Sequence, residues 1–153
     1  MINDTDASIA DRSFTHSRLI DAPREQVFAA IADPARLARW WGPNGLTSTF
    51  EVFELRPGGA WRLALHGPDG TDHPNENRFT DIVAPARVVC EHLGSPHHFE
   101  LTITLTVQGA GTQVGWQQIF DTAAEKQRIA DFVAPANEQN LDRLTAEVLR
   151  GHR

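Results

Sequence analysis

Residues 99–120, FELTITLTVQGAGTQVGWQQIF, carry the pattern that decides the fold. The first half alternates apolar with polar residues, which is the pattern of a strand with one buried face. Its predicted inward residues are Phe99, Leu101, Ile103, Leu105 and Val107. The turn Gly109-Ala110-Gly111 follows, and a second strand repeats the alternation. The predicted inward residues of that strand are Val114, Trp116, Gln118 and Phe120. The stretch therefore predicts two antiparallel strands joined by a tight turn.

The same reasoning places the other elements on both sides of this stretch. Four strands are predicted before it, at residues 46–55, 61–66, 75–83 and 87–93. A first strand at 13–20 precedes two short helices, one with Pro23 at its first position and one capped by Asp33. Because Phe50 and Phe53 imply different faces, the second strand should contain a bulge. A long helix begins at Thr122, and Pro135 lies inside it.

This order of elements defines the fold class as α+β. We expect a strongly bent antiparallel sheet of about seven strands, with two short helices after the first strand and a long C-terminal helix. An antiparallel sheet of this size needs cover on its apolar face, and only the C-terminal helix is long enough to give it. Residues 1–12 are predicted to be a flexible tail, and residues 13–151 a single domain.

Composition excludes several classes of protein. The chain has 153 residues, of which 41% are hydrophobic and 22% charged, so we expect one folded domain. A net charge of -6 argues against a nucleic-acid partner. The single cysteine, Cys90, rules out an internal disulfide. The N-terminus is acidic where a signal peptide is basic, and no apolar run is long enough to span a membrane. We therefore expect a cytoplasmic protein with no membrane partner.

Several motifs occur in an order that is typical of one superfamily. They are Ile20-Asp21-Ala22-Pro23, Trp40-Trp41-Gly42-Pro43, Arg56-Pro57-Gly58-Gly59 with Trp61, Pro68-Asp69-Gly70, and the strand from Phe99. In these residues the chain resembles the START-like (SRPBCC), polyketide cyclase-like superfamily. Within it, the chain is most similar to the branch of activator-of-heat-shock-protein-ATPase homologues. The resemblance implies a helix-grip fold, in which the C-terminal helix lies across the concave face of the sheet.

Two positions depart from the pattern of that branch. Ala136-Asn137 stand where the family often has Gly-Trp, and Asn77 stands where many members carry glycine. Both departures place polar side chains where the resemblance implies a pocket. They leave the expected fold unchanged.

The predicted inward faces also carry polar side chains among the apolar ones. Gln118 lies between Trp116 and Phe120, and Asn137 and Asn140 lie on or beside the apolar stripe of the closing helix. A buried polar group without a partner costs about 1–3 kcal/mol. These groups must therefore pair with one another in a solid core, hold water, or line a hollow.

The last of these alternatives, a hollow lined by a few polar groups, indicates a binding site. We expect a small, largely apolar ligand between the sheet and the C-terminal helix, with the protein acting as its carrier or sensor. The expected ligand-binding residues are Trp40, Trp41, Trp61, Asn77, Phe79, His92, Phe99, Leu101, Trp116, Gln118, Val133, Asn137 and Asn140. Adjacent helical residues point about 100° apart. At most one of Trp40 and Trp41 therefore fills the core squarely, and the other lies at its margin.

Two other functions stay open. Some relatives of this fold are cofactor-independent cyclases, dehydratases or hydrolases, and here His92 would act as acid or base with one of the carboxylates Glu51, Glu76 or Asp81. The family resemblance also implies a protein-interaction module that stimulates a chaperone ATPase. We expect no cofactor and no metal site, because Cys90 and His92 on one strand face supply only two ligands. A homodimer is left open.

Overall fold

The computed structural model describes residues 8–93 and 98–150. A 3-10 helix, Ala10–Arg12, occupies the end of the predicted tail. The elements that follow are β1 (Ser13–Ile20), α1 (Arg24–Ala32), α2 (Pro34–Trp40), β2 (Thr47–Phe53), β3 (Ala60–His66), β4 (Asp72–Val83), β5 (Arg87–His92), β6 (Phe99–Gln108), β7 (Gly111–Phe120) and α3 (Ala123–Arg150). The predicted α+β architecture is confirmed. Residues 1–7 of the tail and Gly151, the last residue of the predicted domain, lie outside the described residues.

The seven strands form one antiparallel sheet in the order β1-β7-β6-β5-β4-β3-β2. Consecutive strands are neighbours except at β1, which pairs with β7. As a result β1 and β2 are the two edges, and α1 and α2 connect them. The helix α3 covers the inner face, where Leu141, Leu144 and Val148 are buried in the core. No helix within residues 8–93 and 98–150 is both long and apolar enough to cross a membrane.

The helix starts follow local hydrogen bonding. Asp33 caps α2 as predicted, because its Oδ1 accepts from the Ala35 backbone N–H at 3.0 Å. The Thr122 hydroxyl oxygen likewise accepts from the Glu125 N–H at 3.0 Å at the start of α3. The prediction for Pro23 is wrong by one position. Its backbone is extended, with ψ 151°, so it is the N-cap that precedes α1.

Bulges in two strands change which side chains face inward. The predicted bulge in β2 lies between Phe50 and Val52, and the Phe50 and Phe53 rings stack with their centroids 5.8 Å apart. A second bulge in β4 lies between Phe79 and Asp81. One extra residue reverses the alternation. Asp81 therefore points outward, where its carboxylate accepts from Arg87 Nε at 3.1 Å.

The core resolves the ambiguity between the adjacent tryptophans. Trp40 is 1% exposed, and its Nε1 donates to the Ala30 carbonyl at 2.9 Å. Trp41 follows the last turn of α2 and is only partly buried. Val107 is on the predicted face, since it pairs with the buried Thr112, but it is 59% exposed near the end of β6.

Candidate ligand-binding site

A cavity of about 310 Å³ lies between α3 and the inner face of the sheet. This volume is at the lower end of the roughly 300–1,000 Å³ found for small-molecule pockets. Its lining residues are Trp41, Gly42, Pro43, Leu46, Leu65, His73, Asn75, Phe99, Leu101, Trp116, Gln118, Phe132, Val133, Ala136, Asn137 and Asn140. Phe132 is 63% exposed and His73 is also exposed. The cavity therefore reaches the surface between β4 and the first half of α3.

Eight of the predicted ligand-binding residues meet in this wall: Trp41, Phe99, Leu101, Trp116, Gln118, Val133, Asn137 and Asn140. Trp40, Trp61, Asn77, Phe79 and His92 do not line the cavity. Trp61 and Phe79 stack in parallel, with ring centroids 5.6 Å apart. The Trp41 ring lies 4.8 Å from that of Trp61. These rings therefore support Trp41, which forms the wall itself.

His92, the residue predicted to act as an acid or base, is buried but does not line the cavity. Its Nδ1 donates to Asn77 Oδ1 at 3.0 Å, and its ring stacks on Phe99 at 4.8 Å between centroids. Phe99 lines the cavity, and His92, its neighbour on the adjacent strand, does not. Of the three candidate carboxylates, Asp81 pairs with Arg87, Glu76 pairs with Arg62, and Glu51 is exposed. All three point away from the inner face that holds His92.

Three buried amide side chains line the cavity. Asn137, Gln118 and Asn140 are 4%, 8% and 8% exposed. Asn137 Nδ2 donates to Gln118 Oε1 at 2.9 Å. Asn140 Oδ1 accepts from the Gly42 N–H at 2.9 Å. The polar groups therefore pair in part, and a hollow lies beside the pair.

The loop after α2 is held in place by side chains of α3. Arg143 donates to the carbonyl oxygens of Arg39, Gly42, Pro43 and Leu46. Partial burial lowers the pKa of its guanidinium, and these carbonyls replace water as its partners. Because Gly42, Pro43 and Leu46 line the cavity, Arg143 fixes one wall without touching the interior.

A buried ion cluster docks α2 against α3. The Glu147 carboxylate is 5% exposed and accepts from Arg36, Arg39 and Arg150. Burial alone would raise its pKa. The three guanidinium hydrogen bonds outweigh burial and lower the pKa of Glu147 to about 2. The cluster therefore fixes α2, and with it Trp41.

Sequence reasoning missed several features of this site. Arg143 and Glu147 contact residues about 100 positions away, and no local pattern reveals such contacts. The other lining residues it missed are Gly42, Pro43, Leu46, Leu65, His73, Asn75, Phe132 and Ala136. Three of them carried a signal, because Ala136 is part of a departure from the family pattern and Gly42 and Pro43 end the tryptophan motif.

The wall is poor in titratable groups. The described lining residues include no Asp, Glu, Lys or Arg, and their single histidine, His73, lies at the rim. No group of three or more potential metal ligands occurs in the part of the chain that the structure describes. The buried indole Nε1 atoms of Trp61 and Trp116 have no hydrogen-bond acceptor among the same residues. The site is thus an apolar hollow with uncharged polar groups.

A comparison with protein families identifies the family of the chain. The family described as Activator of Hsp90 ATPase homolog 1-like protein matches residues 21–148. The chain belongs to this family. The predicted resemblance is therefore confirmed. No curated protein is significantly similar to this member of the activator-homologue family.

Solved structures from several bacteria have the same fold as this activator-homologue chain. A solution structure of a protein from Arthrobacter aurescens has a TM-score of 0.86 at 26% identity, over 95% of this chain and 90% of that one. A crystal structure from Nitrosomonas europaea has a TM-score of 0.85 at 18% identity, over 93% and 97%. A third, from Chromobacterium violaceum, has a TM-score of 0.79 at 25% identity, over 90% and 96%. The helix-grip fold is confirmed.

Proposed function

We propose that this activator-homologue chain binds a small, largely apolar molecule in the cavity under α3, as its carrier or sensor. The observation that supports the proposal is the cavity itself, about 310 Å³ in volume and walled by Trp41, Phe99, Trp116 and Val133. Protein interiors are close-packed, and voids much larger than a water molecule are few. A hollow of this size under the longest helix is therefore suited to a ligand.

The chemistry of the wall favours burial of apolar surface. Removing apolar surface from water contributes roughly 25 cal/mol per Å², so a ligand that buries about 200 Å² gains about 5 kcal/mol before the cost of association. Phe132 at the rim is 63% exposed, which leaves an apolar edge next to the opening. A ligand would cover this ring as it enters.

The distribution of titratable groups supports binding over catalysis. A general acid or base must come within about 3 Å of the proton that it transfers. His92, the residue that the enzyme alternative requires, stacks on Phe99 and does not line the cavity. His73 lies at the rim, and its side chain is exposed. A carrier or sensor needs shape and hydrogen bonds only, and the wall provides both.

Thermal unfolding with neutral aromatic probes tests the proposal. Indole, naphthalene and 3′-hydroxyacetophenone are small enough for the cavity and carry no charge at pH 7. A ligand at a hundred times its Kd stabilises the folded state by about 2.7 kcal/mol. For a domain of this size, Tm should rise by about 5–10 °C. If no probe raises Tm, the proposed function is wrong.

Two matched variants locate the effect. Ala136 lines the cavity, and Ala146 is exposed on the same helix. Ala136→Trp fills the hollow and should abolish the rise in Tm, whereas Ala146→Trp adds the same ring in solvent and should preserve it. An equal rise in both variants would place the bound probe elsewhere and contradict the proposal.

A further inference from the structure

We propose that the cavity selects neutral ligands that carry one carbonyl oxygen and one hydroxyl group on an apolar body. The inference rests on the proposed function and assigns the polar part of the ligand. It follows from the amide groups that remain after the hydrogen bonds of Asn137, Gln118 and Asn140 within the protein are made. It follows also from the wall itself, because no Asp, Glu, Lys or Arg is among its described residues.

Asn140 supplies a hydrogen-bond donor. The Gly42 backbone N–H can only donate, so the atom of Asn140 that faces it at 2.9 Å must be the carbonyl oxygen. That bond fixes the orientation of the side chain. Within residues 8–93 and 98–150, the bond to Gly42 is the hydrogen bond of this side chain, and its Nδ2 forms none. Because Asn140 lines the cavity, this NH₂ group is available to an acceptor atom on a ligand.

Asn137 and Gln118 together supply one donor and one acceptor. One amide donates to the other at 2.9 Å, which uses one NH₂ group and one carbonyl oxygen. If the oxygen and nitrogen of both amide groups exchanged places, Gln118 would donate to Asn137 instead. In either orientation one NH₂ group and one carbonyl oxygen of the pair remain. The three buried amides therefore leave two NH₂ groups and one carbonyl oxygen, and the half-buried Asn75 also lines the cavity.

The absence of charge excludes ionic ligands. No Asp, Glu, Lys or Arg occurs among the described residues of the wall. A carboxylate or an ammonium group would lose its hydration in the cavity without gaining an opposite charge. A pure hydrocarbon would leave the remaining two NH₂ groups and one carbonyl oxygen without a hydrogen-bond partner. A carbonyl oxygen can accept from the two donors, and a hydroxyl group can donate to the remaining acceptor.

Three probes of similar shape test this selectivity. They are 3′-hydroxyacetophenone, which has both groups and is neutral at pH 7, ethylbenzene, which has neither, and 3-hydroxybenzoate, which is charged. Isothermal titration calorimetry gives Kd for each. We expect 3′-hydroxyacetophenone to bind at least about tenfold more tightly than ethylbenzene, and 3-hydroxybenzoate to bind most weakly. Equal affinities, or tightest binding of 3-hydroxybenzoate, would overturn the inference.

A double variant assigns the effect to the amides. Gln118→Met with Asn137→Leu removes both partners of one hydrogen bond, so no polar atom is left unpaired. The preference for 3′-hydroxyacetophenone over ethylbenzene should fall at least about threefold, and ethylbenzene binding shows that the cavity is still folded. Gln117→Met, on the opposite strand face, is the matched control and should keep the full preference.

The outcomes separate the two proposals. If ethylbenzene binds as tightly as 3′-hydroxyacetophenone, or if the double variant keeps its preference, the inference is wrong and the proposed function stands. If none of the three probes binds the wild-type protein, the proposed function is wrong, and the inference is wrong with it.

Discussion

Replacing Glu147 with glutamine tests the buried ion cluster that docks α2 against α3. The change keeps the shape of the side chain and removes its charge from Arg36, Arg39 and Arg150. The pKa of Glu147 is lowered from an ordinary value of 4.5 to about 2. A lowering of this size corresponds to about 3 kcal/mol of stabilisation by the ionised carboxylate. Loss of one partner from a buried ion pair costs a similar amount, about 3–5 kcal/mol.

The predicted loss in free energy of unfolding becomes smaller as the pH falls. Since the pKa of Glu147 is lower in the folded state, its stabilisation is complete above about pH 5 and disappears as pH falls towards 2. Urea unfolding at pH 7 should show Glu147→Gln to be less stable than wild type by about 3 kcal/mol in free energy of unfolding. Near pH 3 this difference should narrow to about half.

A surface variant provides the control. Asp142, on the same helix, is 64% exposed and pairs with Arg18. Asp142→Asn should change the free energy of unfolding by less than about 1 kcal/mol. The reasoning is refuted if Glu147→Gln costs no more than this control at pH 7. A cost that stays constant between pH 7 and pH 3 would also refute it.

Three further predictions concern individual residues of the site and the fold. Trp40→Ala should cost about 3–5 kcal/mol in urea unfolding because the indole is fully buried, whereas Trp41→Ala should cost less and should weaken probe binding more. Arg143→Met should weaken probe binding at pH 7 by calorimetry, because the loop that it holds forms one wall. Hydrogen bonds to Glu91 and Asp121 raise the pKa of His98 above 6.5, so proton NMR should show this imidazole titrating above an unperturbed histidine. A His98 titration at or below 6.5 would contradict the ion pairs seen in the structure.

The strands could be predicted because their burial is periodic. In β6 the buried residues Leu101, Ile103 and Leu105 alternate with partly exposed or exposed ones, and period-2 counting identifies them correctly. The same counting fails after Phe79, since one extra residue in β4 turns Asp81 to the outer face. Nothing in the local sequence marks that bulge, because the residues on both sides of it fit either register.

The site was predictable where it depends on alternation, and missed where it depends on long-range contacts. Trp116 and Gln118 are two positions apart on β7, so counting every second residue places both on the inner face. Local spacing could not distinguish Trp40 from Trp41, because the Ala30 carbonyl that accepts from the Trp40 indole is set by the packing of α1 on α2. The sequence alone indicates a surface position for Arg143. The loop carbonyls to which it donates come close to it only in the folded chain.

A neutral small molecule is proposed to occupy the hollow under α3. Isotope-filtered NOE spectra of the labelled protein with 3′-hydroxyacetophenone locate the bound probe. We expect contacts from the probe to the methyl groups of Val133 and Leu101, which line the cavity. Contacts only to Leu19, which is 55% exposed on the outer face of the sheet, would contradict it. A saturating probe that contacts neither Val133 nor Leu101 would contradict it equally.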